Sequence, residues 1–122
     1  MKKIILIIED ELVLLTALAD EFKEEGFTVI TAPDGQAGLE SALKNHPDLI
    51  LLDILMPVMD GITMLNKLRK DKWGKNAKVV LLTNLSESDM ITAEILKKTD
   101  GFIMKSNYRM SDIIRQVREK LA

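Results

Sequence analysis

Residues 48–61 read DLILLDILMPVMDG, and the reading of this stretch decides the fold. Asp48 to Leu52 is a short, nearly unbroken apolar run that shows no alternation of polar and apolar side chains. A strand with one wet face alternates. A strand covered on both faces does not, and such strands belong to parallel sheets. Pro57 and Asp60-Gly61 mark a loop, and Ile62 to Lys70 beyond it reads as a helix. Upstream, His46-Pro47 ends an earlier helix. The stretch is the middle of a helix–strand–helix alternation, with a carboxylate, Asp53, just past the carboxyl end of the strand.

The alternation continues in both directions. Ile4 to Ile8 is another continuous β-rich run. Leu12 to Glu25 reads as a helix that buries Leu15, Leu18 and Phe22 and is stopped by Gly26. Phe27 to Thr31 is the second strand and Asp34 to Asn45 the second helix. Downstream come a fourth strand over Ala77 to Leu82, a fourth helix over Glu87 to Lys97 and a fifth strand over Gly101 to Met104. Ser111 to Leu121 is the last helix, burying Ile113, Ile114, Val117 and Leu121. Strands joined by helices run parallel with right-handed crossovers, so helices cover both faces. The predicted fold is α/β, a doubly wound (βα)5 three-layer sandwich around a five-stranded parallel sheet. A length of 122 residues fits a single domain over 1–122.

Composition narrows the function classes. Apolar residues make up 47% and charged residues 30%, which excludes a disordered chain. Aromatics are only 4%, so Ile, Leu, Val and Met must build the core. There is no cysteine, which excludes disulfides, thiolate metal sites and cysteine nucleophiles. The net charge is -2, with Lys and Arg spread along the chain, and bulk charge gives no reason to expect nucleic-acid binding by this domain. The apolar run after Lys2-Lys3 is too short for a signal peptide, and no stretch approaches the ~18 apolar residues of a membrane span. The expected location is cytoplasmic, away from the membrane.

In a doubly wound sheet, ligands bind beyond the carboxyl ends of the strands. Glu9, Asp10 and Glu11 follow the first strand, Asp53 the third, Thr83 and Asn84 the fourth, and Lys105 and Ser106 the fifth. Clustered carboxylates repel unless a cation sits among them. As hard oxygen ligands with room for water, they suit Mg²⁺, or Mn²⁺ in its place. A metal-bound carboxylate beside a lysine can attack phosphorus, and Thr83 and Lys105 can stabilise the phosphoryl oxygens. Taken singly, the acidic triplet also serves as favourable charge at a helix N-terminus, Thr83 as a turn cap, and Lys105 as a surface lysine. Joint placement raises them above those readings. Asp60 is read as the N-cap of the third helix, and lone His46 as solvent-exposed and uninvolved.

The segment from Asp53 to Gly61 resembles the Asp-x-x-Met-Pro-x-Met-Asp-Gly signature of response-regulator receiver domains. With Glu9-Asp10-Glu11, Thr83 and Lys105 at the other strand ends, the resemblance covers the whole chain. It implies a flavodoxin-like sheet in the order 2-1-3-4-5. It also implies a phosphorylation switch of two-component signalling rather than a metabolic enzyme. Asp53 would accept a phosphoryl group from a histidine kinase or histidine phosphotransfer protein. Asp10, Asp53 and the Leu55 backbone carbonyl would bind Mg²⁺, with Glu9 contributing through water. Lys105 would pair with the phosphoryl group. Thr83 would swing toward it and Phe102 would follow. The surface of the fourth helix, fifth strand and fifth helix would then meet a downstream protein, or a second copy in a homodimer.

Several positions depart from the family pattern. Glu9 stands where Asp is commoner, and Asn84 where Ala or Gly is usual. Ser106 replaces a Pro whose preceding bond is typically cis; a cis Lys105-Ser106 bond would cost ~3 kcal/mol. Leu55 and Leu85 flank the path of hydrolytic water and offer nothing to orient it, so slow dephosphorylation is expected. The alternative function is a degenerate receiver that binds a partner regardless of phosphate. A dehalogenase-like hydrolase would need a second Asp two residues after Asp53, and a flavin binder would need a phosphate loop where Glu9-Asp10-Glu11 stands. The start at Met1 favours a stand-alone receiver over an excised one.

Overall fold

The computed structural model describes residues 2–107 and 109–122. The strands are β1 (Ile4–Ile8), β2 (Thr28–Ala32), β3 (Leu49–Asp53), β4 (Val79–Thr83) and β5 (Phe102–Met104). The helices are α1 (Leu12–Glu24), α2 (Gly35–Asn45), α3 (Gly61–Arg69), α4 (Ala93–Lys97) and α5 (Met110–Leu121). All strand pairs are parallel, in the order β2-β1-β3-β4-β5 expected from the resemblance.

Side chains alternate across each strand, and in β1, β3 and β4 both faces are dry. Ile5, Ile7, Leu49, Leu51, Val80 and Leu82 pack with α1 and α5 on one face. Leu6, Ile8, Ile50, Leu52, Val79 and Leu81 pack with α2 and α3 on the other. Each such side chain contributes about 1.5–3 kcal/mol on burial. The unbroken apolar runs of β1, β3 and β4 are the sequence trace of this two-sided burial.

Helix ends follow local chemistry. The Asp34 and Asp60 carboxylates accept from Ala37 N (2.8 Å) and Thr63 N (2.7 Å), so Asp60 caps α3 as expected. Gly26, at φ 95°, takes the left-handed conformation that ends the α1 turn.

The fourth helix is much shorter than predicted. The stretch read as helix from Glu87 instead begins inside a 3-10 turn (Leu85–Met90), and α4 starts only at Ala93. Ser86, Ser88 and Asp89 favour local turns over helix interior. Thr92 then opens the helix afresh, its hydroxyl accepting from Ile95 N at 3.2 Å. The far end of α4 is tied down. The Arg69 guanidinium donates to the carbonyls of Gly74 (2.7 Å), Ala77 (2.8 Å) and Lys98 (2.6 Å), joining α3, the following turn and α4.

His46 is exposed but not idle: its ring stacks on Trp73, with centroids 4.3 Å apart. No peptide bond among the described residues is cis, so the Lys105-Ser106 bond is trans.

Candidate functional site

Parallel pairing brings the carboxyl ends of β1, β3, β4 and β5 to one edge, and the predicted residues meet there. Glu9 leaves β1 with its N–H on Ala32 O (3.1 Å), and its side chain is fully buried. Its Oε2 accepts from Glu11 N at 3.2 Å. Its Oε1 makes no directed hydrogen bond but lies 2.6 Å from Lys105 Nζ, an ion pair. Asp53 ends β3 and is 2% exposed. Its Oδ1 accepts from Ile54 N (2.9 Å) and sits 3.1 Å from Lys105 Nζ. Asp10 is exposed beside them, and carboxylate oxygens of Glu9, Asp10 and Asp53 lie within 4.8 Å of one another.

The remaining predicted residues stand around this centre. Thr83 is buried at the end of β4, with its hydroxyl donating to Asn84 O at 3.1 Å. Phe102 begins β5 and is 42% exposed. Leu55 is exposed in the loop after β3. The Leu85 side chain, part of the dephosphorylation expectation, lies outside what is described.

Two features escaped the sequence reading. Gly61 packs on the back of Asp53: its N–H donates to Ile54 O (2.7 Å), and a Cβ there would fall 2.0 Å from Asp53 O. The Asp60-Gly61 pair announced a turn but not this close approach. Asn84 donates to the buried Glu87 carboxylate at 3.3 Å, a contact spanning three residues within the loop after β4. Because Glu87 was read as the start of a regular helix, its inward position was not foreseen.

The electrostatics are those of too many acids for one cation. Burial, reinforced by the neighbouring Glu9, pushes the Asp53 carboxyl up to about 8 against the opposing pull of Lys105. Burial also acts to raise Glu9, but its contacts with Asp53 and Lys105, the lysine's charge and the Glu11 N–H hold it below its ordinary range. Lys105 is raised, because the two carboxylates outweigh desolvation. Without a further cation, Glu9 is thus the ionised acid and Asp53 keeps a proton. Three carboxylates around a single ammonium fit a hard divalent cation, which would relieve the repulsion that raises Asp53.

Residues 5–118 match the family model described as the response regulator receiver domain. The transcriptional regulatory protein PrrA of Mycobacterium bovis is 32% identical over 117 residues, 96% of this chain and 49% of that protein. The alkaline phosphatase synthesis transcriptional regulatory protein PhoP of Bacillus subtilis is 42% identical over 72 residues, 59% of this chain and 30% of that one. The chain therefore spans half or less of the length of these relatives. Among solved structures, the response regulator TrrA of Thermotoga maritima, in complex with Mg(2+)-BeF, superimposes with a TM-score of 0.84. It is 30% identical, with 97% of this chain and 98% of that one covered.

Proposed function

The chain belongs to the response regulator receiver domain family, and from that premise we propose that Asp53 is the phosphoryl acceptor of a phosphorylation-dependent switch. Receivers of this family are signalling domains of two-component systems, not metabolic enzymes. One observation carries the proposal: a buried carboxylate at a strand end, 3.1 Å from a lysine ammonium and within reach of two further acids.

Asp10 and Asp53, with the Leu55 carbonyl and with Glu9 through water, would hold Mg²⁺. When bound, the cation neutralises the acidic cluster and draws charge from the phosphoryl oxygens. The chain's own residues do the rest. With Asp53 ionised, its carboxylate attacks phosphorus, forming the O–P bond as the bond to the donor histidine nitrogen breaks; the electron pair stays on that nitrogen, and the imidazole, which carries a proton on its other nitrogen, leaves neutral. Lys105 moves from pairing carboxylates to pairing the new phosphoryl group. The Thr83 hydroxyl exchanges Asn84 O for a phosphoryl oxygen, and Phe102 turns inward behind it. Because the new contacts exist only in the phosphorylated state, they shift the population of the α4–β5–α5 surface offered to a downstream protein or a second copy. TrrA, whose solved structure is a complex with Mg(2+)-BeF, supports the reading of a metal-dependent phosphoryl site in this chain.

Incubation with acetyl phosphate and Mg²⁺ tests the proposal. The expected result is one added phosphoryl group by mass, lost in Asp53→Asn and without Mg²⁺. Undiminished labelling of Asp53→Asn would overturn the assignment. A second reading, a receiver that binds its partner regardless of phosphate, is favoured by Asn84, which the Glu87 contact holds in the loop beside the site. Failure to take up beryllofluoride with Mg²⁺ would support it.

A further inference from the structure

The sheet separates charge that the sequence scatters. The acids of the site lie at the carboxyl ends of the strands. At the opposite edge lie the strand starts and the ends of α3 and α4. Residues 67–78 alone, KLRKDKWGKNAK, hold six cations and one acid. Lys67, Lys70, Lys72, Lys75 and Lys97 are exposed, as is Lys3 before β1. None of these six has an ion-pair partner among the described residues. Three acids lie among them and accept from backbone amides: Asp48 from Ile4 N, Asp71 from Trp73 N and Gly74 N, and Asp100 from Val79 N. Arg69, Lys75, Lys97 and Lys98 line a concavity of about 480 Å³ with Asp100 as its one acid.

Lysines at helix C-termini are common because they complement the dipole. That accounts for Lys67, Lys70 and Lys97, but not for Lys72 and Lys75 in the turn beyond α3, nor for Lys3. Distance decides whether the acidic edge cancels this patch. Strands of five residues span about 16 Å, while charges are screened over about 8–10 Å at physiological salt. The two edges therefore act independently, and the net charge of -2 misrepresents both.

We infer that this basic edge is a docking surface for the phosphate backbone of nucleic acid. The free cations are lysines, point charges suited to phosphate rather than to reading base edges. They are spread along an edge rather than gathered around an apolar anchor. Most of the large exposed apolar side chains, Leu12, Val13, Leu55, Val58 and Phe102, belong to other surfaces. A docked protein segment or a membrane would need such anchors here. Binding is sequence-independent and steeply salt-dependent. This surface goes beyond the phosphoryl site and stands apart from it.

Trp73, the only tryptophan, lies inside the patch and reports on it. The test is titration of the whole chain with a fluorescent duplex of arbitrary sequence, read by anisotropy and by Trp73 emission. Four or more phosphate contacts predict about a hundredfold loss of affinity from about 50 to about 200 mM salt. Lys70→Glu, Lys72→Glu and Lys75→Glu together abolish binding, whereas Arg115→Glu on α5 leaves it within about twofold, and acetyl-phosphate labelling of all variants is unchanged. Absence of duplex binding at low salt, or binding indifferent to the triple substitution, overturns the inference. So does tighter binding of poly-glutamate or of anionic vesicles than of the duplex.

Discussion

The carbonyl oxygen of Asp53 faces the α-carbon of Gly61 so closely that a methyl group on Gly61 would lie 2.0 Å from it. Nothing larger than hydrogen fits, and the obstacle is backbone, which cannot rotate away. Gly61→Ala is therefore expected to cost about 2 kcal/mol or more and to lower phosphoryl uptake by displacing Asp53. Gly26→Ala has open space around it and only a positive φ to oppose it, so it should cost about 1 kcal/mol and leave uptake intact. Urea denaturation of both variants, with labelling measured in parallel, separates the close approach from the strain of a positive φ alone.

Without a divalent cation, Asp53 keeps its proton in the folded chain to about pH 8, whereas in the unfolded chain it is lost near ~4. Between those values the folded state binds more protons, so this group lowers stability as pH rises. Glu9, shifted the other way, acts below its ordinary value of 4.5 and so outside this window. The expected result in EDTA is a loss of about 2 kcal/mol or more from pH 5 to pH 8, absent in Asp53→Asn and reversed by Mg²⁺ in the parent alone. A parent chain more stable at pH 8 than at pH 5 would contradict a buried, protonated Asp53.

Lys105→Met removes the one cation that pairs with Glu9 and Asp53 among the described residues. Breaking a buried pair costs about 3–5 kcal/mol, but Asp53 carries a proton well below pH 8, so a loss of about 2 kcal/mol in EDTA at pH 6 is expected. The emptied acidic pocket should bind Mg²⁺ more tightly than the parent. Calorimetric titration checks this, and weaker Mg²⁺ binding would mean that Lys105 organises the acids rather than competing with a metal for them.

Arg69→Met deletes bonds to three backbone carbonyls from separate parts of the chain. A loss of about 2–4 kcal/mol is expected, with faster amide exchange concentrated at the turn after α3 and at the end of α4. Uniform acceleration across the sheet would show that Arg69 supports the whole fold rather than that junction.

How much of this was legible depends on what each residue answers to. The apolar runs of β1, β3 and β4 reported two-sided burial directly, and the order of polar residues at their ends placed Glu9, Asp53, Thr83 and Lys105 on one edge. Residues 87–92, expected as the start of the fourth helix, form a turn instead because Ser88 and Asp89 carry side chains that compete with the helix for the backbone. Arg69 and Gly61 were missed for a different reason. Their partners are backbone atoms that only folding brings near, and no pattern of side chains announces them. The run of lysines over 67–78 stands in the sequence itself, but its separation from the acidic edge does not, since that belongs to the direction of the strands.

The central strands β1, β3 and β4 are dry on both faces, and this has a cost in alignment. A strand with one wet face cannot slip by a residue without exposing its apolar set. Slipping β3 by one would merely exchange Leu51 with Ile50 or Leu52 between two cores that accept either. The apolar pattern leaves the register open. What closes it stands at the strand ends, where a slip would pull Glu9 or Asp53 into hydrocarbon away from Lys105 and the backbone amides, at about 2–7 kcal/mol for each polar group stranded. The acids that make this edge reactive are also the index marks by which the sheet is aligned.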